Sequence, residues 1–147
     1  MNLYFQGMKN VSYPFAVMEK LSASIGGDDE AHEWLVINGF TELADFSDAV
    51  FDDEKAFSRL IQEKHYELAA IVDVLGGKTE AKKWLLLNGF RAHAALCDAV
   101  EENKSAIMWL NKFGHPGWLL VAKAINGKIK KDEKKDPFGF FGSFFKR

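Results

Sequence analysis

Apolar positions along this chain follow two alternating spacings. Over residues 29–38 they fall at Ala31, Trp34, Leu35 and, in part, Asn38: i, i+3, i+4, i+7, one face of a helix. Over residues 41–50 they fall at Leu43, Phe46, Ala49 and Val50, the inner stripe of a second helix. The pair then recurs without an insertion. Residues 26–60 read GGDDEAHEWLVINGFTELADFSDAVFDDEKAFSRL and residues 76–110 read GGKTEAKKWLLLNGFRAHAALCDAVEENKSAIMWL, an offset of 50 that halves to 25 when the columns are aligned. Ala31, Ala56, Ala81 and Ala106 share one column; Leu35, Leu60, Leu85 and Leu110 share another, preceded by Trp34, Arg59, Trp84 and Trp109. Leu21, Phe46, Ile71, Leu96 and Val121 form a third column, and Ile25, Val50, Leu75, Val100 and Ile125 a fourth. Phe15, Phe40, His65, Phe90 and His115 form a fifth.

Polar residues and glycines punctuate this pattern. Asp28, Asp53, Thr79 and Asn103 stand near the start of each first helix (type A), where a side-chain oxygen can cap free backbone N–H groups. Asn38-Gly39 is expected to end helix A near residue 38; Gly39 can take the left-handed conformation and Phe40 can fold back on the last turn, with Gly89 and Phe90 as their counterparts. Gly26-Gly27, Gly76-Gly77 and Asn126-Gly127 are expected to break the chain after each second helix (type B), and Pro116 suits the first turn of a B helix. Helices of about 10–12 residues do not persist alone in water, so each hairpin must bury its face on a neighbour. The expected fold is therefore all-α: a lone B helix, then four AB hairpins. It is a right-handed-type αα-hairpin solenoid of about nine short helices on a 25-residue repeat. The expected divisions are residues 1–7, 8–127 (the repeat domain) and 128–147 (a basic, Phe-rich tail). The first segment, with Asn2-Leu3-Tyr4-Phe5-Gln6-Gly7, looks like the remnant of a protease-cleavable tag, and Met8 is the expected natural start.

The AxxWLxxNGF hairpin resembles the paired helices of an ankyrin unit. Residues 13–127 are similar in architecture to the ankyrin, tetratricopeptide and HEAT-like class of helical repeats. The resemblance implies use in protein binding. It carries over no functional residue, since the period is 25 rather than ~33–34 and the TPLH turn is absent.

Composition narrows the function classes. Apolar content is 48% and aromatic content 14%. No run approaches the ~18–20 apolar residues of a membrane span, and no secretory signal follows Met8, so a cytoplasmic location is expected. Cys97 is the one cysteine, which excludes an internal disulfide framework and a cysteine-rich metal site. No nucleotide, metalloprotease or nucleophile-elbow motif occurs; no cofactor and no metal are expected. Net charge is −2, yet seven Lys/Arg against three acids from Lys128 onward leave an acidic body with a basic tail. An acidic body disfavours nucleic acid as a partner.

Candidate chemistry is sparse. His65 and His115 occupy a phenylalanine column and lie too far apart to share a metal; His32 follows Ala31 on the outer side. His93 replaces Leu43, Leu68 and Trp118 in an apolar column, where its imidazole needs a hydrogen-bond partner. Cys97 shares a column with Ser22, Ser47, Val72 and Ala122 and reads as packing. Trp34, Trp84 and Trp109 read as core or, alternatively, as the lining of a ligand groove. Arg59 interrupts their column and is a candidate partner contact. Asp48, Asp73 and Asp98 form an acidic column that could face a basic partner. The tail carries Phe138, Phe140, Phe141, Phe144 and Phe145, then Lys146 and Arg147. It is expected to fold back on its own body or a second copy, to dock on another protein, or to enter a membrane surface. The expected function is a non-catalytic protein-interaction scaffold. The alternatives are peripheral membrane association through the tail, or a small hydrolase or ligand-binding protein using His93.

Overall fold

Residues 12–135 are described by the structure, a computed structural model. They fold into α1 (Phe15–Ile25), α2 (Asp29–Ile37), α3 (Thr41–Val50), α4 (Glu54–Gln62), α5 (Tyr66–Leu75), α6 (Thr79–Leu87), α7 (Arg91–Val100), α8 (Lys104–Lys112) and α9 (Pro116–Lys135). There is no strand among the described residues. Even-numbered helices are type A and odd-numbered helices type B.

The 25-residue period is written into the backbone as well as the side chains. Helices α2, α4 and α6 end in the same pair of bonds, and α8 keeps the longer-range one, His115 N–H to Leu110 O at 2.9 Å: at α2, Phe40 N–H donates to Leu35 O at 2.8 Å and Gly39 N–H to Val36 O at 3.3 Å, the Schellman pattern. Phe90 with Leu85 and His65 with Leu60 repeat it at 2.8 Å. The first four B helices (α1, α3, α5 and α7) end the same way, with Asp28 N–H on Ala23 O at 3.0 Å and Asn103 N–H on Asp98 O at 3.1 Å. Every positive φ among the described residues falls in one of these two turns, at Gly39, Lys64, Gly89 and Gly114 or at Gly27, Asp52, Gly77 and Glu102. The side chains of Asp28, Asp53 and Asn103 accept from the N–H three residues on and start α2, α4 and α8. At α6 the capping residue is Lys78, not Thr79, and no side chain caps it.

A helices bury little beyond the alanine and leucine columns, whereas B helices are buried over most of their surface. Three buried rows take one residue from each B helix. Met18, Leu43, Leu68, His93 and Trp118 form the first, Leu21, Phe46, Ile71, Leu96 and Val121 the second, and Ile25, Val50, Val100 and Ile125 with half-buried Leu75 the third. Each large apolar side chain in them contributes about 1.5–3 kcal/mol. In a solenoid each unit touches only its neighbours. Here α1 packs on α3, α3 on α5, α5 on α7, α7 on α9, and α9 returns to α1, so the two ends of the array meet. Five inner helices thus make a closed cycle, with α2, α4, α6 and α8 outside it, each laid against two successive inner helices. At the seam Gly117 lies so close to Met18 that an added Cβ would stand 2.7 Å from its Cγ. Tyr13 meets Trp118 edge-on across the seam at 6.4 Å.

The break expected at Asn126-Gly127 does not occur, and the boundary at 127/128 falls inside α9. The physical reason is the missing fifth A helix. Lys131 replaces the alanine column and Lys134-Lys135 the Trp-Leu pair, so turning back would bury nothing. The continuing helix instead gains contacts at the B-helix C-terminal end. Asn126 Nδ2 donates to Val100 O at 2.8 Å, the Lys128 ammonium lies 5.9 Å from the Phe51 ring, and Lys130 pairs with Glu102.

Candidate functional site

His93, the break in the apolar column, lies in the first buried row with no exposed surface. It meets Phe90 edge-on at 5.3 Å and lies tilted on Trp118 at 4.7 Å. Neither ring nitrogen has a hydrogen-bond partner. Burial, and then the charge of His115, lower its pKa to about 3, so the ring is neutral at ordinary pH. At the same end of the inner helices Tyr13 donates its hydroxyl to Glu42 Oε2 at 3.0 Å. Its own ionisation is pushed up by burial and by the Glu42 charge. Glu67 is buried, with Oε1 unpartnered and His65 Nδ1 3.9 Å away, too long for a hydrogen bond. Burial raises the Glu67 pKa, with Glu42 adding to the effect and a backbone bond and His65 opposing it. The sequence flagged His93 but not Tyr13, Glu42 or Glu67. Glu42 and Glu67 share a column with Ala92 and Gly117, and that mixture of charged and small residues gave the only signal.

The other polar candidates find partners within the chain. Asp48 meets His32 Nε2 at 2.9 Å, Asp98 meets Lys82 Nζ at 2.7 Å, and Asp73 lies 3.6 Å from Lys78. The acidic column therefore ties B helices to the A helices and turns beside them. Arg59 is also engaged: its Nη2 and Nε donate to Asp45 Oδ1 at 2.8 and 3.0 Å, clamping α4 to α3. Where the column holds tryptophan, the ring stacks on its own turn, Trp34 on Phe40 at 6.1 Å, Trp84 on Phe90 at 5.7 Å and Trp109 on His115 at 5.5 Å. These rings are half-buried or, for Trp84, exposed; they brace the A-to-B turns rather than fill the central core. Cys97 is buried, and burial pushes its thiol up to about 12, far from a nucleophilic thiolate. Phe138, Phe140, Phe141, Phe144, Phe145, Lys146 and Arg147 lie outside the described residues.

A hollow of about 460 Å³ opens at the B-to-A turns, with Val50, Phe57, Val72 and Leu75 beneath Asp53 and Asp73. Two of the four carboxylates that line it serve the turns, Asp53 as a helix cap and Asp73 beside Lys78. A smaller hollow of about 220 Å³ sits on the seam between Tyr13, Met18, His115 and Trp118. A third, of about 350 Å³, lies between Ile61, Tyr66 and Trp84. His93 lines none of the three. No group of three or more metal-ligating side chains converges among the described residues. No described helix is long and apolar enough to cross a membrane.

The large apolar side chains that remain exposed are localised. Every large apolar side chain left exposed among the described residues falls in the second half of an A helix, the A-to-B turn, or the matching first residues of a B helix. Ile37 is 72% exposed, Leu87 86%, Met108 70% and Phe113 57%. The alternating direction of the helices gathers these turns at one end of the ring. The signal was present in the sequence as the runs WLVI and WLLL, wider than the stripe that a core-facing helix needs. No family model, curated protein or solved structure was found to match the chain.

Proposed function

We propose that the protein is a non-catalytic binding module, a hairpin solenoid bent until its ends meet, acting in the cytoplasm through the apolar end of the ring. The observation that carries this reading is the contrast between the two kinds of side chain. Of the ionisable residues singled out by the sequence, His93 and Cys97 are buried, and Arg59 and the aspartate column are paired internally. The exposed apolar residues are gathered at one end. A clustered apolar surface of this sort marks a contact site. Such a module holds what it binds by apolar burial and needs no cofactor.

Affinity purification from the native cell tests the reading, comparing the full chain with Leu87→Asp/Phe113→Asp and with His93→Leu. The expected result is loss of co-purifying material in the first variant and retention in the second. Loss in His93→Leu with retention in the surface variant would return the function to the buried imidazole.

A further inference from the structure

The two ends of the ring differ in charge as well as polarity. In the segments that build the apolar end (33–41, 58–66, 83–91 and 108–116), Arg59 is held by Asp45, and the cations Lys64, Lys83, Arg91 and Lys112 stand against Glu33 and Glu63, in a chain whose net charge is −2. The B-to-A turns opposite (26–30, 51–55, 76–80 and 101–105) hold nine acids against Lys55, Lys78 and Lys104; the extension of α9 over residues 128–135 adds five lysines, Asp132 and Glu133 there, which leaves that end with a net charge of −3. We propose that the apolar end docks on an anionic phospholipid bilayer, its turn tips entering the headgroup layer and its cations meeting lipid phosphates. This rests on the contact surface proposed above and names what that surface meets.

Three features favour a lipid surface over a protein groove. Ile37, Leu87 and Phe113 project from separate turns of separate hairpins. Spaced tips of this kind suit a fluid interface, which closes around each one, better than a rigid complementary surface. Second, apolar tips and cations are interleaved. Lys83 and Arg91 flank Leu86 and Leu87, Arg91 lies 5.3 Å from the Trp109 ring, and the Lys112 ammonium lies 5.6 Å from the Phe113 ring. Aliphatic stems and rings can thus sit at the acyl boundary while the charged heads stay at phosphate level. Third, the opposite end keeps a net negative charge even with the α9 lysines counted, and it has no exposed large apolar side chain among the described residues, so the same surface favours the apolar end. Trp84 and Tyr66, both partly exposed at the apolar end, belong to the residue types enriched at the membrane–water boundary. Apolar insertion and electrostatic attraction are the two signals that stable peripheral attachment requires.

The test uses the full chain carrying an environment-sensitive dye on Leu87→Cys; Cys97 is buried and does not compete for the label. With phosphatidylserine-containing vesicles the dye should shift to the blue and brighten, and the response should fade at high salt. With phosphatidylcholine vesicles it should not respond, and the same dye on Lys55→Cys, at the acidic end, should stay unchanged. Lys83→Glu/Lys112→Glu should weaken vesicle partition by about tenfold or more. Phe140→Ser/Phe141→Ser/Phe144→Ser/Phe145→Ser should leave it within about twofold, because the attachment does not run through the tail. Equal helicity by circular dichroism checks that each variant is folded. The inference is overturned by no response at residue 87, by an equal response at residue 55, or by a loss of binding that follows the tail variant alone. If vesicle binding is absent but Leu87→Asp/Phe113→Asp still loses its cellular partner, the lipid inference fails and the contact surface stands.

Discussion

At the scale of single residues, His93 costs the fold stability in acid. Its folded pKa is about 3 against an ordinary value of 6.5, so between these values the unfolded chain binds a proton that the folded chain refuses. Stability contributed by the neutral ring is fully present above pH 6.5 and drains away as pH falls through this window, at about 1.4 kcal/mol per pH unit from this one group. Glu67, packed at the same end of the inner helices, acts with the opposite sign. Its raised pKa favours the fold at low pH, and that contribution is lost as pH rises. The difference between wild type and His93→Leu isolates the imidazole. Urea unfolding from pH 7 to pH 4 should show the variant losing markedly less stability than wild type, and standing about 1–3 kcal/mol above it at pH 7 because two unpartnered nitrogens are removed. Parallel pH profiles would mean that the ring is solvated. That His93 belongs inside was legible from its column, since Leu43, Leu68 and Trp118 occupy the same row. That it lacks a partner was not legible. Its surroundings come from α9 as well as its own helix, and long-range neighbours leave no trace in a 25-residue period.

At the scale of the element, the hairpin was readable almost to the residue, because each end is chemically marked. Gly39, Gly89 and Gly114 occupy left-handed positions, and Asp28, Asp53 and Asn103 cap the helices that follow the other turn. Asn126-Gly127 misled because it copies the glycine pairs at the earlier turns, while the helix it should have introduced has no apolar face. A turn signal permits a turn, but burial has to reward it. Two glycine substitutions separate these cases. At Gly127 a Cβ would meet nothing within 4 Å and the residue lies inside α9, so Gly127→Ala should raise stability by about 0.5–1 kcal/mol. At Gly39 φ is +85°, and Gly39→Ala should cost about 1–2 kcal/mol. Thermal unfolding of the two variants beside wild type checks both signs. A loss at Gly127 would show that the chain turns there after all. Arg59 belongs to this scale too. Its departure from the tryptophan column suggested a surface contact, but the explanation lay in Asp45, where other units carry Ala70, Ala95 or Leu120. The repeat replaced a stacked ring with an ion pair in one unit, changing both partners together.

At the scale of the whole molecule, closure is the property the sequence concealed. Columns record what each unit does to its neighbour; they do not record the small rotation per unit that decides whether five inner helices form an arc or a ring. The trace that did exist is a size match at the two ends, Gly117 in a column that elsewhere holds Val17, Glu42, Glu67 and Ala92, set against Met18. That match allows a test by sign. Gly117 lies in the first turn of α9, so in an open array Gly117→Ala would be neutral or would gain up to ~1 kcal/mol from the lower freedom of the unfolded chain. In the closed ring the new methyl carbon would stand 2.7 Å from Met18 Cγ and 3.0 Å from its Cβ, next to the side chain's root where it cannot swing away. Met18 is itself buried, so Gly117→Ala should cost about 1–3 kcal/mol by overpacking. Met18→Ala alone should cost about 2–5 kcal/mol through the cavity it leaves. In that background the alanine at 117 has room, and the double variant should be more stable than the sum of the two losses by about 0.5–3 kcal/mol. Strict additivity in denaturant unfolding, or a gain from Gly117→Ala alone, would mean that α9 and α1 do not meet in solution. The inner rows would then end in exposed apolar faces, and the apolar end would no longer be a continuous rim.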